Sequence, residues 1–170
     1  NDSTASLKSE QGKIDKLGIL AATLLNPDGT LQPQGGDLPT LFALFAHMTL
    51  LDDLPLIGKM LPSMQHTGFR QTEKLRYQTN DTRLLKRGWV AGTAMMIRRE
   101  LIDEVGILDD NIFMYGEDVE YCLRAKNHHW DIAIDPQAKI THYGQASSTS
   151  ANAVKGEFKS LTYIWSKHKP

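Results

Sequence analysis

Between Gly88 and His142 the hydrophobic period changes repeatedly, and that succession limits the chain to a mixture of strands and helices. Trp89 to Ile97 is an apolar run with Gly92 inside it, which reads as a buried strand with a close backbone approach. Arg98 to Val105 suits a helix, and Gly106 suits its left-handed cap. Asp109 to Gly116 reads as a loop. Asp118 to Asn127 then sets Val119, Cys122 and Leu123 at the spacing of one helix face. Ile132 and Ile134 alternate as in a strand, Asp135-Pro136 reads as a turn, and Ala138, Ile140 and His142 alternate again. These are mixed α and β elements without an internal repeat. Strand–helix pairs are too few for a complete doubly wound sheet, and no Gly-rich phosphate loop opens a helix.

The amino-terminal side is less regular. Residues 1–16 are polar and read as a frayed start or a short helix. Leu17 to Leu25 reads as a buried strand, stopped by the turn signal Asn26-Pro27-Asp28-Gly29. A second short strand is expected at Thr30–Gln32, and Gly35-Gly36 break the pattern. Residues 38–62 crowd Leu, Phe, Met and Ile between Pro39, Pro55 and Pro62, which predicts two short helices. Residues 63–86 are polar and read as a surface loop. Residues 144–151 read as another loop, and Phe158, Leu161, Thr162 and Trp165 support a final helix.

The 170 residues suffice for one domain with a real core. The formal net charge of −1 gives no electrostatic reason to expect nucleic acid as a partner. A single cysteine, Cys122, excludes an intramolecular disulfide and fits a reducing compartment. Its place inside a helix, between Tyr121 and Leu123, reads as a packed core thiol. No signal peptide and no 18-residue apolar run is visible.

The segment from Gly106 to Ala125 carries the chemistry. It holds five carboxylates: Asp109, Asp110, Glu117, Asp118 and Glu120. Glu117 and Asp118 sit where loop becomes helix. Acids there can simply cap free amides and oppose the helix dipole. Alternatively, a carboxylate held at a helix start and facing a cleft can take a proton from a sugar hydroxyl. A carboxylate set of Glu117, Asp118 and Asp109 for glycosidic hydrolysis is a weaker option, because adjacent Glu and Asp point apart at a helix start.

The order of residues decides between these readings. Gly106, Leu108-Asp109, Phe113-Met114-Tyr115, Glu117-Asp118, Glu120, Cys122 and Arg124 follow one another. His129-Trp130, Ile132-Ala133-Ile134, Pro136, Ile140-Thr141-His142, Gly144 and Ser147-Ser148 come after them, and Gly92 and Arg98-Arg99-Glu100 come before. This resembles the acceptor-side signature of the inverting family-2 glycosyltransferases, especially their rhamnosyltransferase-like bacterial branch. The likeness covers roughly residues 17–36 and 88–168.

The resemblance implies an α/β, partial glycosyltransferase A-type (nucleotide-diphospho-sugar transferase) fold lacking the N-terminal nucleotide-binding half. Residues 1–170 would form a single acceptor-side domain, with an apolar helical segment plus polar loop, residues 38–86, inserted within it. Asp118 would be the catalytic base. Glu117, Trp89 and Gly92 would bind the acceptor, and a core role for Trp89 stays open. His142 would contact a metal or the diphosphate, with a hydrogen-bonded strand histidine as the alternative. The complete enzyme would use a divalent metal, Mg or Mn, and this chain alone would hold none. Asp28 resembles a turn residue lying after the family's metal motif.

Implied partners are a nucleotide-sugar donor and a saccharide or lipid-linked saccharide acceptor, in bacterial cell-surface polysaccharide synthesis and with no nucleic acid. The implied location is the cytoplasm, peripheral at the inner face of the plasma membrane. Residues 38–62 would pack against the missing half or meet the membrane, and the isolated chain is expected to be inactive and to self-associate. The other class consistent with these residues is a non-catalytic remnant or interaction module of the same fold.

Overall fold

The structure is a computed structural model that describes residues 16–38, 40, 83–144 and 150–168. Strand β1, Leu17–Leu25, carries the organisation. Gly18 and Ile19 are both buried, as are Thr23 and Leu24, so consecutive side chains find cover on opposite faces of the sheet. Strand β2 is Gly35–Gly36, β3 is Leu85–Arg87, β4 is Trp89–Val90 and β5 is Met95–Ile97. Helix α1 spans Arg99–Val105, α2 spans Glu117–Asn127, strand β6 spans Asp131–Thr141 and helix α3 spans Ser150–His168.

Four strands form one sheet in the order β3-β6-β1-β5, and β2 pairs with β4 in a small second sheet. β1 runs parallel to β6 and antiparallel to β5, and β3 runs antiparallel to β6. Ile19, Leu101, Tyr121, Ile132, Ile134 and Ile164 are fully buried and join sheet and helices in one core. Cys122 is buried among them, as its neighbours in the sequence imply. Burial pushes its thiol up to about 12, which makes it an inert packing group.

Four expectations are corrected. The single strand expected over Trp89–Ile97 is divided into β4, a 3-10 turn at Gly92–Ala94, and β5. The division is forced, because β4 belongs to the small sheet and β5 to the large one. The strand expected at Thr30–Gln32 is reduced to one bridge between Leu25 and Leu31. The polar stretch read as loop up to residue 86 ends in β3, where Lys86 reaches Asp131 at 2.7 Å. The turn at Asp135-Pro136 is a bulge inside β6: Ala22 pairs with Asp135, but Thr23 pairs with Lys139. Proline has no N–H for the ladder, and the Asp135 carboxylate accepts the Gln137 N–H at 2.8 Å beside it. The helices expected within residues 38–62 lie, apart from Leu38 and Thr40, outside the described residues.

Helices α2 and α3 are joined by buried charge. Glu120 is fully buried. It accepts both Arg124 Nε contacts, at 2.9 and 3.0 Å, and further bonds from Lys167 at 2.9 Å and His168 at 2.8 Å. Burial would raise the Glu120 pKa, but the bonds from Lys167, His168 and Arg124 outweigh it and hold the group below its ordinary value. Asp109 extends the cluster, accepting Lys167 at 2.6 Å and the Tyr163 hydroxyl at 2.9 Å. Arg124 also donates to the carbonyls of Val105 and Ile107, closing the end of α1. α3 is therefore drawn across the start of α2. A Cβ on Gly116, at φ 107°, would stand 2.9 Å from Ser160 Cβ.

Removing the Glu120 carboxylate would leave Arg124 and His168 facing a cavity without their counter-charge and Lys167 with Asp109 alone. Glu120→Ala is expected to cost about 3–5 kcal/mol, visible as a lower urea midpoint. Because the Glu120 pKa is lowered on folding, its contribution is present above the unfolded value of 4.5 and is lost as pH falls through the folded one.

Candidate active site

Two backbone constraints place the Glu117-Asp118 pair. Tyr115 takes φ 66° and Gly116 φ 107°, which swing the chain abruptly into α2. Gly116 occupies the cap position and has no side chain to cap the helix, so the first-turn amides are left to the acids, and Asp118 satisfies one of them, that of Val119. Asp118 spends its oxygens on two amides: Oδ1 accepts the Val119 N–H at 2.8 Å and Oδ2 accepts the Gly92 N–H at 3.0 Å. Gly92 opens the 3-10 turn that divides the expected strand. The break in the strand and the seat of the carboxylate are thus one feature.

The five sequence-predicted site residues meet around one cleft of about 470 Å³, lined by Trp89, Gly92, Glu117, Asp118 and His142 among others. Trp89 is both a core and a cleft residue, 7% exposed. The carboxylates of the Gly106–Ala125 segment divide into separate groups. Glu117 and Asp118 line the cleft, Asp109 and Glu120 belong to the buried charge cluster, and Asp110 is exposed. The hydrolase set of Glu117, Asp118 and Asp109 is therefore not assembled at the cleft.

Burial is the main force on Asp118, raising its pKa from 3.8 to about 6. The Gly92 amide opposes the rise, and the neighbouring Glu117 adds to it. Such a group is ionised near neutral pH yet basic enough to take a proton.

Gln34 and Glu157, which the sequence did not single out, and Leu161, which it marked only as part of the final helix, also line the cleft. Gln34 is buried, and its Oε1 accepts the Leu24 N–H. Among the described residues its Nε2, like Glu117 Oε2, is buried with no hydrogen-bond partner. A buried donor and a buried acceptor left unsatisfied beside the same cleft are costly unless a ligand meets them. No periodicity or motif marks Gln34, because its role depends on the backbone pairing of Ala91 N–H with Gln34 O at 2.9 Å.

His142 follows β6, and its Nδ1 lies 2.7 Å from Gln32 Oε1. Among the described residues no three His, Cys, Asp or Glu side chains come together as a metal-binding group. A single imidazole leaves most of a metal's coordination to other groups, so His142 would serve as one ligand among several. Asp28 is the turn residue the sequence suggested: it accepts the Thr30 N–H at 2.9 Å and the Thr30 hydroxyl at 2.6 Å.

The mixed sheet with helices packed on it, and the cleft that Glu117 and Asp118 line, form a partial glycosyltransferase A-type fold, as the family match bears out. Residues 45–159 match glycosyltransferase like family 2, and the chain belongs to that family. It is also similar to the N-acetylglucosaminyl-diphospho-decaprenol L-rhamnosyltransferase of Mycobacterium tuberculosis, from strain CDC 1551 / Oshkosh and from strain ATCC 25618 / H37Rv. Identity to each is 28% over 153 residues, covering 88% of this chain and 45% of the relative. The chain thus spans about half the length of the curated relatives it matches.

The raised Asp118 pKa sets a stability test. The folded state holds this proton more tightly than the unfolded state, so ionising Asp118 costs stability as pH rises from about 4 to about 6, and the cost persists above. Asp118→Asn has no such ionisation. The melting temperature of the variant relative to wild type is expected to climb between pH 4 and pH 7.5, and parallel curves would contradict the assigned shift.

Proposed function

We propose that this chain forms the acceptor side of an inverting glycosyltransferase that moves a sugar from a nucleotide-sugar to a saccharide hydroxyl. The observation that carries the proposal is Asp118: a carboxylate fixed by the Gly92 and Val119 amides, facing a cleft, with its pKa at about 6. In the proposed step the acceptor O–H gives its proton to Asp118. The acceptor oxygen then forms a bond to the anomeric carbon, while the bond from that carbon to the diphosphate oxygen breaks. The nucleoside diphosphate leaves with the electron pair, and a single displacement of this kind inverts the centre. Glu117 Oε2 and Gln34 Nε2, both unpartnered, would meet acceptor hydroxyls, and Trp89 offers a flat apolar face to a sugar ring. The divalent metal of the complete enzyme, Mg or Mn, would stabilise the leaving diphosphate, with His142 as one contact.

The relatives' printed activity supports a lipid-linked saccharide as acceptor, and we read the reaction as a step of cell-surface polysaccharide synthesis at the cytoplasmic face of the membrane. Phe113, 94% exposed, and Ile107, 71% exposed, stand on the loop that delivers Met114 and Tyr115 to the cleft. They would give the lipid portion an apolar contact without insertion. Among the described residues no helix is long and apolar enough to cross a membrane.

In the full-length enzyme, Asp118→Asn is expected to lower kcat by about 10²–10⁴-fold, the usual range for loss of a general base, while donor binding changes little. Log kcat/KM should rise with unit slope to a pH of about 6 and level off above it. Near-wild-type turnover by the variant would remove Asp118 from the mechanism. Gln34→Glu keeps the acceptor for Leu24 N–H but loses the donor. It is expected to raise the acceptor KM about tenfold with a smaller effect on the donor KM, in line with a lost hydrogen bond of about 1.4 kcal/mol.

A further inference from the structure

The Asn26-Pro27-Asp28-Gly29 turn lies outside the family chemistry described above, yet an unbroken line of hydrogen bonds runs from it to the cleft. Thr30 Oγ1 donates to Asp28 Oδ1 at 2.6 Å. Asn26 Nδ2 donates to Thr30 Oγ1 at 2.9 Å, and Gln32 Nε2 donates to Asn26 Oδ1 at 3.1 Å. Gln32 Oε1 then faces His142 Nδ1 at 2.7 Å. The backbone holds the same geometry: Asn26 N–H bonds Thr30 O at 2.7 Å, Gln32 N–H bonds Leu24 O at 2.9 Å, and His142 N–H bonds Leu25 O at 2.9 Å.

The direction of this relay is forced from one end. An ionised carboxylate can only accept, so the Thr30 hydroxyl hydrogen points to Asp28 and its lone pair faces Asn26. That fixes the Asn26 amide with nitrogen toward Thr30 and oxygen toward Gln32. The Gln32 amide must then place its nitrogen toward Asn26 and its oxygen toward His142. An amide oxygen has no hydrogen to give, so the hydrogen in the last link belongs to His142 Nδ1. Asp28 remains the ionised anchor, because its bonds from Thr30 lower its pKa.

We propose that this turn is a positioning device, in which Gln32, oriented from Asp28 through Thr30 and Asn26, fixes neutral His142 as its Nδ1–H tautomer. The other ring nitrogen, Nε2, then carries a lone pair and no hydrogen, on a residue that lines the cleft. His142 then offers an electron pair to the cleft's occupant. It can accept from a sugar hydroxyl or bind a cation, but in its neutral form it has no N–H for a diphosphate oxygen. Gln32 and Asp28 act through His142 and touch no substrate themselves. In water a free neutral histidine side chain favours the opposite, Nε2–H tautomer, so the relay must overcome an intrinsic preference.

The tautomer is read without turnover, so its failure is distinct from a failure of the transferase reading. Long-range proton–nitrogen correlation spectra of the nitrogen-labelled full-length enzyme, above the pH at which the ring is charged, report it directly. In wild type, Nδ1 is expected to carry the hydrogen and Nε2 to show the shift of an unprotonated ring nitrogen; an Nε2–H ring would overturn the proposal without any variant. Gln32→Leu is expected to return the ring to the Nε2–H form, and Gln32→Glu, which still accepts from Nδ1, to keep the Nδ1–H form. Asp28→Ala, which removes the anchor, is expected to admit an Nε2–H population. An unchanged spectrum in Gln32→Leu would overturn the role of Gln32, and one in Asp28→Ala the anchoring by the turn.

Discussion

One hydrogen bond connects the parts of this molecule that matter most, the Gly92 N–H donated to Asp118 Oδ2 at 3.0 Å. On one side of it is the segment where the chain leaves the small sheet and enters the large one. On the other is the first turn of α2. Without it, the carboxylate would lose the amide that opposes the effect of burial, and the 3-10 turn would lose a partner for its first N–H. The glycine suits the approach. A Cβ there would lie 3.6 Å from Asp118 Cβ, an ordinary contact that narrows the space around the carboxylate. The bond therefore sets both where Asp118 points and how basic it is.

The buried charge cluster does for α3 what Gly92 does for Asp118. Burying Glu120 is unfavourable by itself, and Arg124, Lys167 and His168 compensate by surrounding it. A buried ionic group of this kind adds little net stability over a well-packed apolar one, but it is specific about geometry. Here it selects one placement of α3, which brings Glu157 and Leu161 to the cleft and sets Ser160 and Ile164 against Gly116. The same motif thus supplies Asp118 to the cleft and Glu120, two residues on, to the clasp that closes it.

How much of this was legible in the sequence follows from the range of each interaction. β1 was readable end to end, because nine largely apolar residues stop at a strong turn signal. α1 and α2 were readable from their spacing and from Gly106, which closes α1 at φ 84°. The 3-10 turn inside Trp89–Ile97 was not, since membership of two sheets is decided by β2 and β1, far away in sequence. The bulge in β6 was read as a turn, because Asp-Pro announces a departure from the ladder without saying whether the strand resumes. The division of the acids was also hidden: the partners of Asp109 and Glu120 on α3 lie 47 to 58 residues further along. Asp118 was nameable from its place in an ordered pattern, whereas Gln34 belongs to no pattern and emerges only when its unsatisfied nitrogen is seen beside the cleft.

The opposed fates of Asp118 and Glu120 show how position alone assigns a task to an acid. Both stand in the first turn of α2, where the helix dipole favours negative charge equally. Glu120 meets three basic side chains, so its charge is secured and its proton affinity falls. Asp118 meets two neutral amides and another acid, Glu117, so burial dominates and its proton affinity rises. A carboxylate surrounded by cations is stable and unreactive, since a proton would have to displace them. One held by neutral donors in a cleft stays anionic near neutrality and can still gain from being protonated, which a base in a transfer reaction must do. If the helix began two residues later, Glu120 would take the second position that Asp118 holds at the cleft and Cys122 would take the fourth, leaving the basic cluster without its carboxylate. The strained entry at Tyr115 and Gly116, which fixes where α2 begins, is in this sense a part of the site's chemistry.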